Sequence, residues 1–244
     1  MPANRPNDKY LAQKLVLAVI LPMVAGAVNA SGLVAVGLYT SHVTGHVARI
    51  GDGLSVANWQ VVTSEAVLVL AYLFGVMVST GLVQIAMVRE RARHAVPLLL
   101  EAAIVLLYAS WAEWQHDENY RTTMTVLLVF SMGIQNALVT RAFGAVVRTT
   151  HLTGVVTDIG IELMHMIFVL RSLLDGGLRP MALIRKLIDD PQWAQLRTHI
   201  SVLLSFLGGA TLGPFLVRRY GQSAISVLVL VLCCLAIYDL LHGI

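Results

Sequence analysis

Long stretches of this chain carry no Asp, Glu, Lys or Arg, and four of them constrain its fold more than any other feature. These four lie between Lys14 and Arg49, Glu65 and Arg89, Arg121 and Arg141, and Arg197 and Arg218. Each can hold a helix of roughly 20 residues, the length that crosses a bilayer. In lipid the backbone must satisfy its own hydrogen bonds, so an apolar run of this length reads as a spanning helix. The composition agrees, with 57% hydrophobic and 13% charged residues and a mean hydropathy of +0.75. Soluble domains carry about twice that charge.

The uncharged runs place confident spans at Leu15 to Leu38, Ala66 to Val88 and Thr122 to Thr140, with His199 to Val217 close behind. Ala95 to Ala112, interrupted by Glu101, and Ser223 to Leu241, ending near Asp239, bring the count to six. The expected fold is therefore an all-α polytopic membrane helix bundle forming a single transmembrane domain over residues 1–244. Cys233 and Cys234 are neighbours within the last span, so they read as small apolar residues and not as a disulfide framework. The first apolar run is too long for the core of a signal peptide.

Basic residues set the expected orientation, because Lys and Arg are retained on the cytoplasmic side. A cytoplasmic N-terminus puts 13 of the 17 inside, leaving Arg49, Arg121, Arg218 and Arg219 outside. The net charge of +3 reflects this asymmetry and gives no reason to expect a nucleic-acid partner.

The two halves of the chain match each other. Thr40-Ser41-His42-Val43-Thr44-Gly45 is echoed by Thr149-Thr150-His151-Leu152-Thr153-Gly154, 109 residues on. Val47, Ile50 and Gly51 continue the echo with Val156, Ile159 and Gly160. Upstream, Gly26-Ala27-Val28-Asn29-Ala30 is matched by Gly133-Ile134-Gln135-Asn136-Ala137 at a spacing of 107. Two repeats follow, over 15–112 and 122–241. Each is a spanning helix with Gly-x-x-Asn-Ala, an interrupted polar helix, and two further spans. Three crossings per repeat would invert the second against the first, an architecture of secondary transporters whose sites lie where broken helices meet.

These paired motifs resemble the YoaK-like family of bacterial inner-membrane proteins over nearly the whole chain. The resemblance implies a multi-pass protein of the inner membrane and a transport role, and it implies an acidic residue in many relatives where this chain has Asn29. A weaker resemblance, to major facilitator transporters, rests on Gly213-Pro214-Phe215-Leu216-Val217-Arg218-Arg219-Tyr220-Gly221. Their basic turn is cytoplasmic, whereas the basic-residue count places this one outside.

The candidate site residues come from the duplicated segments: Asn29, His42, Thr44, Gly45, His46 and Arg49 in the first copy, and Asn136, His151, Thr153, Gly154, Asp158 and Glu162 in the second. His42, His46 and Arg49 share one helical face, as do His151, Asp158 and Glu162, with His165 following. Arg49 and Asp158 are repeat equivalents and are expected to pair near the pseudo-two-fold axis. Charge at membrane depth costs about 3 kcal/mol and usually finds a partner. Asp158 is then the expected proton carrier, with Arg49 its fixed countercharge. His42 and His151 are expected to face one cavity, with Gly45 and Gly154 at helix breaks. A membrane-surface location for these polar groups is the plainer alternative, and the duplication weighs against it. Asn29 and Asn136 serve equally as interhelical glue or as substrate contacts. Glu101 is another intramembrane carboxylate, and its position within two turns of Arg93 and His94 gives the blander alternative that it reaches the headgroup region.

Residues 175–198 read as an amphipathic surface connector, with Leu183, Ile184, Leu187 and Ile188 on one side and Pro191 ending it. The leading expectation of function is a small-molecule transporter. The alternatives are a non-transporting scaffold or assembly partner and, third, a haem or metal protein, for which no ligand spacing is present. No enzyme signature occurs, and no cofactor or metal is expected. The expected partners are the bilayer, a small solute and a second copy of the chain.

Overall fold

The computed structural model describes residues 8–88, 94–111, 118–143, 150–176 and 180–242. Among them are nine α-helices: α1 (Asp8–Val36), α2 (Val43–Ser55), α3 (Trp59–Val88), α4 (Ala95–Trp111), α5 (Glu118–Phe143), α6 (Leu152–Asp175), α7 (Pro180–Asp189), α8 (Pro191–Tyr220) and α9 (Ser226–His242). A 3-10 turn, Gln222–Ile225, leads into α9, and no strand occurs among the described residues.

Leu21, Val24 and Val28 of α1, Leu98 and Val105 of α4, Leu128 and Met132 of α5, Val202 of α8 and Leu232 of α9 form the buried interior. The outside is no less apolar. Leu70, Phe74 and Met77 of α3 and Ile161 and Phe168 of α6 are each more than half exposed. A continuous apolar outer surface is a liability in water and the solvated face of a bundle in lipid.

Small residues fix how the helices pair. A side chain at Gly26 would run into the Phe206 carbonyl, and one at Gly209 into that of Met23, so α1 and α8 touch backbone to backbone. Gly133 meets the Tyr72 carbonyl and Gly75 that of Phe130, joining α5 to α3 in the same way. Gly26 and Gly133 are the glycines of the two Gly-x-x-Asn-Ala motifs. Each therefore packs the first helix of its own half on a long helix of the other half. Close approach through glycine is the usual way for helices to associate where lipid removes the hydrophobic drive.

Helix directions follow from which residues meet. Gly209 lies against Met23 and Ala27, and Gly213 against Ala27 and Ser31, so α1 and α8 are parallel. One cavity joins Gln60 to Leu68 with Arg121 to Val126, and another joins Tyr72 to Thr80 with Asn136 to Arg141, so α3 and α5 are parallel. Leu21 accepts a hydrogen bond from Gln135 while Val36 lies beside Arg121 to Val126, which makes α1 and α5 antiparallel. His94 pairs with Asp239 and Tyr108 with Gln222, so α4 and α9 are antiparallel.

These directions decide which helices traverse the bundle. The end of α1 and the start of α3 lie at one end, and the end of α5 and the start of α8 at the other. The segments between them, α2 and then α6 with α7, return to the end they left. α4 must run the full distance, since α3 and α5 are parallel. By length and composition alone six helices qualify as spans, with α6 among them and α4, at 17 residues, excluded. The directions replace α6 by α4, whose 17 residues rise about 26 Å, close to the bilayer's hydrocarbon thickness. The six through-going helices are then α1, α3, α4, α5, α8 and α9, which match the six expected spans.

One boundary is corrected. Pro191 does end α7, but it is also the first residue of α8, where its missing N–H costs nothing and Asp190 caps Gln192 N at 2.8 Å. Residues 191–198 thus belong to a 30-residue helix and not to the connector.

Candidate functional site

Each interrupted helix begins well inside the bundle. After α1 the chain turns through Gly37, which has a positive φ of 82°, and folds back so that Ser41 reaches Asn29. Asn29 Oδ1 accepts from both the backbone N and the Oγ of Ser41 at 2.9 Å. In the second copy Asn136 Oδ1 accepts from Thr150 N at 3.2 Å, and its Nδ2 donates to Thr150 Oγ1 at 2.6 Å and to the Met132 carbonyl at 3.1 Å. Ser41 and Thr150 are repeat equivalents, as are Asn29 and Asn136. Each Asn lies seven residues before its helix ends, at Val36 or Phe143, so α2 and α6 start about 10 Å inside those ends.

The starts themselves are alike. His42 precedes α2 with φ −87° and ψ 61°, and His151 precedes α6 with φ −86° and ψ 55°. Neither imidazole caps its helix. Each lies against the glycine three residues on: an added Cβ at Gly45 would sit 2.6 Å from His42 Nδ1, and one at Gly154 2.5 Å from His151 Nδ1. This corrects the expectation that Gly45 and Gly154 break helices. Both sit inside a first turn, where the absent side chain makes room for the ring.

A cavity of about 470 Å³ lies between the two starts. Ser41, Val43 and Thr44 line it from the first copy, and Asn136, Thr150, His151 and Thr153 from the second. Tyr72 and Thr80 of α3 and Thr140 and Arg141 of α5 complete its polar surface. Thr44 and Thr153 are equivalents facing one space. His151 lines it and the exposed His42 does not, so the expectation of two symmetric histidines in one cavity holds only for His151.

A second cavity, about 540 Å³, lies toward the starts of α3 and α5 and includes Arg49, Glu65 and Arg121. Buried Glu65 bridges two partners, His46 Nδ1 at 2.6 Å and Arg49 Nε at 3.0 Å. Arg49 therefore pairs with Glu65 and not with Asp158. Asp158, half-buried, has no ion-pair partner among the described residues and lines neither cavity. The expected proton route through an Arg49–Asp158 pair loses its countercharge. α3 is antiparallel to α2 and closer to Arg49 than α6 is, so it supplies the carboxylate.

The second copy holds an answering pair with the residue types exchanged. Glu162 on α6 lies 2.9 and 3.1 Å from Nδ1 of His199 on α8, both buried. His165 contacts Asp190 at 3.5 Å. Glu65 and His199 escaped notice because each stands at the edge of an uncharged run, where it marks a boundary. The available signal was a lone ionisable residue within two turns of the start of a span, facing a polar helix of opposite chemistry.

Glu101 follows its intramembrane reading and not the headgroup alternative: it is fully buried in α4, and neither of its oxygens has a hydrogen-bond partner among the described residues. No group of three or more His, Cys, Asp or Glu with metal-holding geometry occurs among those residues.

Comparison with known families aligns residues 17–238 with the model described as a protein of unknown function (DUF1275). No curated protein and no solved structure matches the chain.

Proposed function

We propose that this chain, which belongs to the DUF1275 family, is a small-molecule transporter whose substrate site is the 470 Å³ cavity between the starts of α2 and α6. One observation carries the reading: equivalent residues of the two motifs, Thr44 with Thr153 and Ser41 with Thr150, line a single cavity. Hydroxyls, an amide and one guanidinium dominate its polar lining and suit a polar solute of a few hundred Å³. A scaffold needs its polar groups to hold helices together, and a cavity of this size between them gives that role nothing. The chain is read as a carrier and not as an enzyme.

The transporter reading rests on inverted repeats, and the antiparallel course of α1 and α5 supports it. So does the reciprocal packing of α1 on α8 and of α5 on α3. The resemblance to YoaK-like proteins supports a bacterial inner membrane, and the basic-residue count supports a cytoplasmic N-terminus.

The test is uptake by protein reconstituted in liposomes, screened against polar metabolites under proton and sodium gradients. Thr44→Trp and Thr153→Trp fill the cavity from opposite copies. Each is expected to lower uptake at least tenfold while thermal stability stays within about 1 kcal/mol, since no packed neighbour is displaced. A carrier that tolerates both substitutions does not use this cavity, and a protein that moves no solute under either gradient is not a transporter.

A further inference from the structure

The seam between α4 and α9 is closed at both ends by polar contacts and holds one charged-type residue between them. At one end Asp239 Oδ2 accepts from His94 N at 2.9 Å and Ala95 N at 2.8 Å, and Tyr108 meets Gln222 at the other. Glu101 stands midway, seven residues from each of His94 and Tyr108, about opposite Leu232 in this antiparallel register. On the same face of α4 lie buried Leu98 and Val105, three and four residues to either side, and α5, which also packs on α4, contributes buried Leu128 and Met132 to the same core.

A carboxylate there would have no hydrogen bond, no countercharge and no water. Leaving a charge in that condition costs several kcal/mol even after relaxation. A chain that had only to pack this seam would be more stable with Leu or Met at the position. The ionisable groups on the elements packed against α4 are occupied or distant from it in the fold. Asp239 is held by His94 and two amides, while Arg121 and Arg141 lie toward the two ends of α5. Tyr238, Cys233 and Cys234 on α9 and Glu65 and Tyr72 on α3 make no hydrogen bond to Glu101.

We propose that Glu101 is a proton-binding site: it holds a proton while the α4–α9 seam is closed and releases it when the seam admits water. The site stands on the seam alone. Naming the proton as the coupling ion rests, in addition, on the transport reading above.

The probe is dicyclohexylcarbodiimide, an apolar reagent that adds to a protonated carboxyl in apolar surroundings. The acid proton goes to a carbodiimide nitrogen and the carboxylate oxygen bonds to the central carbon. The acyl group then shifts from oxygen to nitrogen to leave a stable N-acylurea, with nothing expelled. Full-length protein in liposomes is labelled from about pH 6 to about pH 9 and the adduct located by peptide mass spectrometry. The expected result is an adduct on Glu101 that falls about tenfold or more over that range, as a site that gives up its proton requires. It is absent in Glu101→Gln, and that variant stays folded.

No adduct at any pH, joined to the absence from infrared spectra of a protonated-carboxyl band that Glu101→Gln removes, overturns the proposal. An adduct independent of pH also overturns it, because a proton that never leaves is structural. Labelling without any transport would sink the carrier reading and leave this site standing. Transport without labelling would do the reverse.

Discussion

Asn29 meets the folded-back chain through its carbonyl oxygen, whereas Asn136 uses both ends of its amide. The distinction has a testable consequence. Asn29→Asp keeps an acceptor for Ser41 N and Ser41 Oγ. Asn136→Asp removes the donor that reaches the Met132 carbonyl and sets a carboxylate against that oxygen. An unsatisfied or repelling buried group costs about 1–3 kcal/mol. In detergent thermal unfolding, Asn136→Asp is therefore expected to be less stable than Asn29→Asp by at least about 1 kcal/mol. Equal losses would show that the two clasps do not differ.

At the scale of elements, glycine does two different jobs that one sequence pattern does not separate. Gly26 and Gly133 face carbonyl groups of the helix packed against them, and a methyl there can be relieved only by moving two backbones apart. Gly45 and Gly154 face the ring of an exposed histidine, which can swing away. Gly26→Ala and Gly133→Ala are expected to destabilise the bundle by about 1–3 kcal/mol or more through overpacking. Gly45→Ala and Gly154→Ala should cost little, because alanine favours a helix over glycine by about 1 kcal/mol. Thermal unfolding of the four purified variants ranks them, and a larger loss at Gly45 than at Gly26 would show that the histidine ring is fixed. Pro191 carries a similar lesson. Read from sequence it is a stop, yet in the fold it is both the stop of α7 and the first residue of α8, because the missing N–H matters only after the first turn.

For the whole molecule, the helix directions make a claim about sides of the membrane. The turn between α2 and α3 and the end of α6 lie at opposite ends of the bundle, since α1 and α5 are antiparallel and α2 and α6 each return to the end they left. In a version without native cysteines, Asn58→Cys and Gly176→Cys should react with an impermeant maleimide from opposite faces of inverted and right-side-out vesicles. With a cytoplasmic N-terminus, Asn58→Cys reacts from outside and Gly176→Cys from the cytoplasm. Reaction from the same face would mean that α6 spans the membrane, and the inverted-repeat reading would fall with it.

The sequence by itself determined the membrane class and the duplication. The first follows from how far uncharged residues run, and the second from identity at a fixed spacing. Both are properties of the chain as a string, whereas which helices cross followed from their directions in the fold. Of the residues in the duplicated segments, Thr44, Thr153, Asn136 and His151 line the cavity, while Asn29, His42, Asp158 and Glu162 do not. What only the tertiary structure decided is which groups meet across helices. Arg49 found Glu65, and Glu162 found His199, because helix direction and rotation bring α2 to α3 and α6 to α8, and neither is written in the spacing of charges along one segment. The burial of Glu101 was undecidable for the same reason: a carboxyl six residues into an apolar helix reaches a headgroup or a core according to which face that helix turns to its neighbours, and α5 and α9 settle that.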